Sequence, residues 1–195
     1  MFSSWLGEII LTPEKPSYNG GVWHVEGMLN ESIISTGIYY YDSENISESS
    51  LEFRRAVNDP PYEQNDHQGV ELVYGIHDNG KLNQYLGYLI TKQDRCIAFP
   101  NIYQHRVRPF QLIDTKKPGY RKILVFFLVN PTFRILSTSN VTPQQKDFQI
   151  SNKENTYMKY DDAIKHREEL MKERKFMIQE NTTQFYEREF SLCEH

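Results

Sequence analysis

His24-Val25-Glu26 sets an imidazole and a carboxylate two residues apart. On a β-strand such residues share a face and converge. They could then form two corners of the 2-His-1-carboxylate triad that holds non-haem iron and leaves coordination positions open. A third ligand is available in Phe99-Pro-Asn-Ile-Tyr-Gln-His105, 79 residues beyond Glu26 and at the start of a predicted strand. His67 and His77 stand in polar, turn-rich stretches and read as exposed loop residues. His166-Arg167-Glu168 repeats the spacing inside a predicted helix, where residues two apart point to nearly opposite sides, so it is not a chelate. Cys193-Glu194-His195 has metal-binding residue types but lies at a terminus, where ends fray. A cation, Arg121, enters the apolar run Ile123-Leu-Val-Phe-Phe-Leu128, which should be buried. A guanidinium there needs an anion, either a protein carboxylate or a ligand carboxylate held bidentately. Lys116, Lys117 and Lys122 are neighbouring alternatives for that charge.

The elements that must position these groups are mostly short strands. Hydrophobic alternation and β-branched or aromatic content predict Trp5–Leu11, Val22–Glu26, Ser32–Tyr41, Gly69–Tyr74, Tyr85–Thr91, Arg95–Phe99, His105–Leu112 and Arg121–Leu128. The stretch Asp42–Asp66 reads as a long loop with one helical turn at Leu51–Val57. About eight short strands at this spacing point to a sandwich or jelly roll, and the helices that a doubly wound α/β sheet requires are missing between them. Trp23 and Phe99 read as core, and Cys96 as a small buried hydrophobe. After Thr142 the character changes. Asp161–Glu180 is charge-dense, with apolar residues at 163/164, 170/171 and 177/178, which predicts an amphipathic helix. Its stripe is narrow; it docks on the barrel or a partner, or is a solvated coiled-coil face.

With 195 residues the chain suits one domain plus an extension. The 13 Tyr and 11 Phe argue against wholesale disorder. A formal charge of −4 gives no electrostatic reason to expect nucleic acid or an anionic membrane. No apolar run approaches membrane-spanning length and the N-terminus lacks a signal-peptide pattern. Two cysteines make neither a disulfide framework nor a zinc ribbon. The composition therefore leads to the expectation of an intracellular, cytoplasmic protein.

The order His24-x-Glu26, His105-Arg-Val-x-Pro109, Gly119-x-Arg121 resembles the iron(II)- and 2-oxoglutarate-dependent dioxygenases. Gly37-Ile-Tyr-Tyr-Tyr41 matches the Ile-Tyr-Tyr strand of the prolyl-hydroxylase-like members. The resemblance implies a double-stranded β-helix (jelly roll, cupin-like) over residues 1–140, with a charged helical extension over 141–195. It implies iron held by His24, Glu26 and His105, and 2-oxoglutarate as cosubstrate gripped by Arg121 and Tyr40. The substrate would be a small molecule or a protein. More closely, Gly20-Gly-x-Trp-His-Val-Glu-Gly27, Tyr39-Tyr-Tyr-Asp-Ser-Glu-Asn45, Phe99-Pro-Asn101 and Phe190-Ser-Leu-Cys-Glu-His195 are similar to a mainly fungal family of unknown function. Two other functions would use the same strands: a catalytically inactive interaction module, and a cupin-like metal enzyme that does not use 2-oxoglutarate.

Overall fold

A computed structural model describes residues 2–63, 65–136, 140 and 158–192. Among these, nine strands and two helices follow in the order β1 (Phe2–Leu11), β2 (Ser17–Tyr18), β3 (Ile33–Glu44), β4 (Ser50–Ala56), α1 (His67–Tyr74), β5 (Asn83–Ile90), β6 (Arg95–Pro100), β7 (Tyr103–Val107), β8 (Phe110–Gln111), β9 (Gly119–Val129) and α2 (Tyr160–Asn181). The molecule is mainly β, every strand pair is antiparallel, and a long helix lies towards the C-terminus.

A four-stranded sheet, β1-β9-β3-β6, faces a three-stranded sheet, β5-β4-β7, and β2 and β8 form a separate short pair. The period-two pattern turns Ile38, Tyr40, Ile97, Phe99 and Val125 of the larger sheet towards Leu51 and Phe53 of the smaller one, and these form the main core. Each such apolar side chain contributes about 1.5–3 kcal/mol by leaving water. Gly119 opens β9 where a Cβ would meet the Asn45 carbonyl oxygen at 2.5 Å. The missing side chain lets β9 enter the sheet close against the end of β3, two residues before Arg121.

Four local expectations change. Leu51–Val57 is strand β4 and not a helical turn, because Ser50–Ala56 is paired on both sides, with β5 and with β7. Gly69–Tyr74 is helix α1 and not a strand. The Asp66 carboxylate caps it by accepting from the Gly69 N–H at 2.9 Å, and Gly75 in the left-handed region ends it. His105–Leu112 is broken at Arg108-Pro109 into β7 and β8, as expected where a proline cannot donate to a ladder. Val22–Glu26 is no strand; only His24 makes a bridge, to His105.

Helix α2 spans the expected residues but buries none of them. Arg174 of the helix forms an ion pair with Glu31, which precedes β3. Beyond it the chain returns. Phe190 and Leu192 bury against Val70, Ile76 and Leu82, and the backbone of 188–190 hydrogen-bonds to residues 79–82. Among the described residues no helix is long and apolar enough to cross a membrane.

Candidate metal centre and anion pocket

His105 lies at the middle of β7, with Phe53 of β4 opposite it on one side and His24 on the other. The bridge is double: the His24 N–H donates to the His105 carbonyl (3.2 Å) and the His105 N–H to the His24 carbonyl (2.9 Å). The two imidazoles lie against each other with ring centroids 4.4 Å apart and their planes tilted by 50°. Glu26 Oε1 lies 3.2 Å from His105 Nε2 and 4.0 Å from His24 Nε2. One donor atom from each of the three residues lies within 4.8 Å of the others, so the structure brings together all three predicted ligands.

The donor set suits a divalent transition metal. His24 Nδ1 is 2.8 Å from the Val22 carbonyl, which can only accept, so that nitrogen carries the proton and Nε2 keeps its lone pair for a metal. Burial, with His105 alongside, holds the His24 imidazole below its ordinary pKa, against the opposing pull of the Val22 carbonyl and Glu26. The imidazole is thus neutral, the form that ligates. Burial pushes the Glu26 carboxyl up, but the hydrogen bond from His105 and the coulombic attraction it would have to either imidazole once protonated outweigh it and hold Glu26 below the usual carboxylate range. Two imidazoles and a carboxylate are the donors that suit iron, with room left for other ligands.

The same three residues open into a cavity of about 350 Å³ between the sheets. Tyr40 and Arg121 line the same cavity. Arg121 is 3% exposed, yet its guanidinium donates only to Ser49 Oγ (2.6 Å), and its Nε has no partner among the described residues. It lies over the rings of Phe110 (5.3 Å) and Tyr40 (5.5 Å). Burial lowers its pKa, and only the tyrosines 40 and 18 act against this. No carboxylate of the described residues forms an ion pair with it. Lys122, one position on, points to the outer face and pairs with Asp42 at 3.0 Å, and Lys116 and Lys117 are exposed, so the cavity takes its positive charge from Arg121. Tyr40 is 2% exposed, and burial pushes its hydroxyl up to about 12 against the pull of Arg121.

Other expectations divide. His67 and His77 are exposed, and His166 pairs with Glu169 along α2. Phe99 is core, packed edge-on against His105. Trp23 is instead half-buried, with the guanidiniums of Arg54 and Arg106 each 4.6 Å from its ring, and Cys96 is exposed. Cys193, Glu194 and His195 lie outside the described residues. Ser49 carries no signal in the sequence, since Ser47-Glu-Ser-Ser50 has no periodicity to mark one serine as inward.

The sequence profile of the family described as Protein of unknown function (DUF4246) matches residues 5–152. No curated protein matches the chain. Among solved structures, the chain is similar to the selenomethionine-labelled Fe(II)/α-ketoglutarate-dependent dioxygenase TqaL, with 16% identity over 73% of this chain and 45% of that one and a TM-score of 0.41. It is also similar to hydroquinone 1,2-dioxygenase PnpCD (14% identity, 65% and 58% covered, TM-score 0.32) and to a Bacillus endospore appendage pilus protein (6%, 67% and 88%, TM-score 0.30). The chain spans 45% and 58% of the length of the two dioxygenases.

Proposed function

The chain belongs to the DUF4246 family of unknown function, and from its site we propose that it is an iron(II)- and 2-oxoglutarate-dependent oxygenase on a double-stranded β-helix. The observation that carries this reading is the pairing, in one cavity, of three convergent metal donors with a buried guanidinium that has no carboxylate partner among the described residues. A buried cation without an anion is costly, and a dicarboxylic cosubstrate reaching from the metal to Arg121 supplies that anion.

His24, Glu26 and His105 would hold the iron. Iron bound there supplies an open coordination position and the redox capacity to couple oxidative decarboxylation of a keto acid to hydroxylation of a C–H bond. Arg121 binds the distal carboxylate of 2-oxoglutarate, with Ser49 fixing the guanidinium and Tyr40 offering a hydroxyl that stays protonated. Ile38, Leu51, Val125 and Phe127 line the walls between and exclude water. On this reading residues 1–140 form the oxygenase unit and 141–195 an extension, and the protein works inside the cell on a small molecule or a protein.

Anaerobic titration with iron(II) and then 2-oxoglutarate tests this. The expected result is a weak, saturable visible charge-transfer band that the His105→Ala variant lacks. Iron binding without the band would favour a cupin-like metal enzyme that does not use 2-oxoglutarate. A folded protein that binds no iron would be an interaction module.

A further inference from the structure

Glu26 converges on the two histidines although its backbone belongs to no strand. The bridge that ties the segment to β7 ends at His24. One residue after Glu26 the chain turns away through Gly27, whose φ of +69° lies in the left-handed region, and a Cβ there would meet Glu31. Nothing in the ladder therefore fixes the carboxylate that the metal centre needs.

What holds it is a side chain from the loop between β6 and β7. The Asn101 carboxamide accepts from the Glu26 N–H through Oδ1 (2.8 Å) and donates through Nδ2 to the Glu26 carbonyl (2.9 Å). It thus takes both hydrogen bonds that a neighbouring strand residue would exchange with Glu26. The second Nδ2 hydrogen goes to the Ile33 carbonyl (3.0 Å), and the Asn101 N–H donates to the Ile34 carbonyl (3.0 Å), which fastens the carboxamide to the start of β3. Oxygen and nitrogen of the amide are unambiguous here, because one partner is an N–H and the other two are carbonyls.

We propose that Asn101 is the positioning residue of the metal centre: its carboxamide stands in for the missing strand and sets where the Glu26 carboxylate meets His24 and His105. This inference rests on the metal-centre reading. Asn101→Ala removes the tether. Asn101→Asp keeps the volume and the acceptor for the Glu26 N–H, but places an acceptor against two carbonyls.

The test is the affinity of the full chain for manganese(II) or iron(II) alone, measured anaerobically, together with hydrogen exchange of the Glu26 amide. The expected result is metal binding roughly 10–100-fold weaker in both variants, with a protected Glu26 amide in the parent that exchanges faster in Asn101→Ala. Asn45→Ala is the comparison. That side chain also ties loops together, through the carbonyls of Asp114, Lys117 and Pro118, but touches no proposed ligand, and its loss should leave metal affinity unchanged. Parent affinity in Asn101→Ala would overturn the proposal. So would a Glu26 amide that exchanges at the solvent rate in the parent, a result that needs no variant to fold. A parent that binds no metal while its Glu26 amide is protected would overturn the metal reading and leave Asn101 as a tether of the backbone only.

Discussion

Arg121 is the residue whose chemistry is least satisfied by its own chain. A guanidinium has five donors, and burial with only Ser49 and two aromatic faces as partners among the described residues leaves most of its hydrogen-bonding capacity unused. Arg121→Ala should retain iron but weaken 2-oxoglutarate by roughly 2–5 kcal/mol, the usual cost of truncating one partner of a buried charge pair. Isothermal titration of the iron-loaded protein measures it, and undiminished affinity would remove Arg121 from the site. Tyr40 makes a separate prediction. Its hydroxyl holds its proton up to about 12 in the folded state, whereas an unfolded tyrosine ionises near 10. The folded state therefore binds the proton more tightly. The stability from this group is complete below pH 10 and is lost as pH rises from 10 to about 12, on the order of 3 kcal/mol. Melting curves of the parent should fall more steeply over that range than those of Tyr40→Phe, and superimposable alkaline limbs would contradict the shift.

Elements differed in how far their residues announced them. Strands β1, β3, β5, β6 and β9 carry uninterrupted alternation or β-branched and aromatic runs, and the structure contains them to within a few residues. Strand β4 was hidden because three of the five residues of Leu51-Glu-Phe-Arg-Arg are charged. Its charges are accommodated by tertiary partners: Glu52 pairs with Arg106 and Arg108, and Arg54 with Gln104 and Glu187. Helix α1 was hidden for the converse reason, since Gly69-Val-Glu-Leu-Val-Tyr has β propensity that the Asp66 cap and the Gly75 stop override. At the site, His24, Glu26, His105 and Arg121 could be read from type and order, whereas Asn101 and Ser49 act through hydrogen bonds that leave no periodic trace. The segment after α2 makes its own prediction. Phe190 is 1% exposed and packs edge-on against Tyr62. Phe190→Ala should cost about 3–5 kcal/mol in urea unfolding, and a loss below 1 kcal/mol would mean that this segment is not docked.

For the molecule as a whole, a ligand that binds only the folded state stabilises it by mass action. Iron(II) or manganese(II) at 100 times its dissociation constant should contribute about 2.7 kcal/mol. In a chain of this size that corresponds to a rise in melting temperature of roughly 5–10 °C. Differential scanning fluorimetry under nitrogen should show the rise in the parent and none in His24→Ala; an equal rise in both would place the metal elsewhere. The docking of Phe190 and Leu192 on Val70, Ile76 and Leu82 has a consequence for biosynthesis. The two halves of that cluster are separated by more than 100 residues of sequence. At roughly 5–20 residues per second of translation, the nascent chain carries Val70, Ile76 and Leu82 uncovered for about 5–20 s before Phe190 is made. All nine strands are made before Phe190, so during the later part of that interval the ribosome presents complete sheets beside an apolar patch that awaits the last segment.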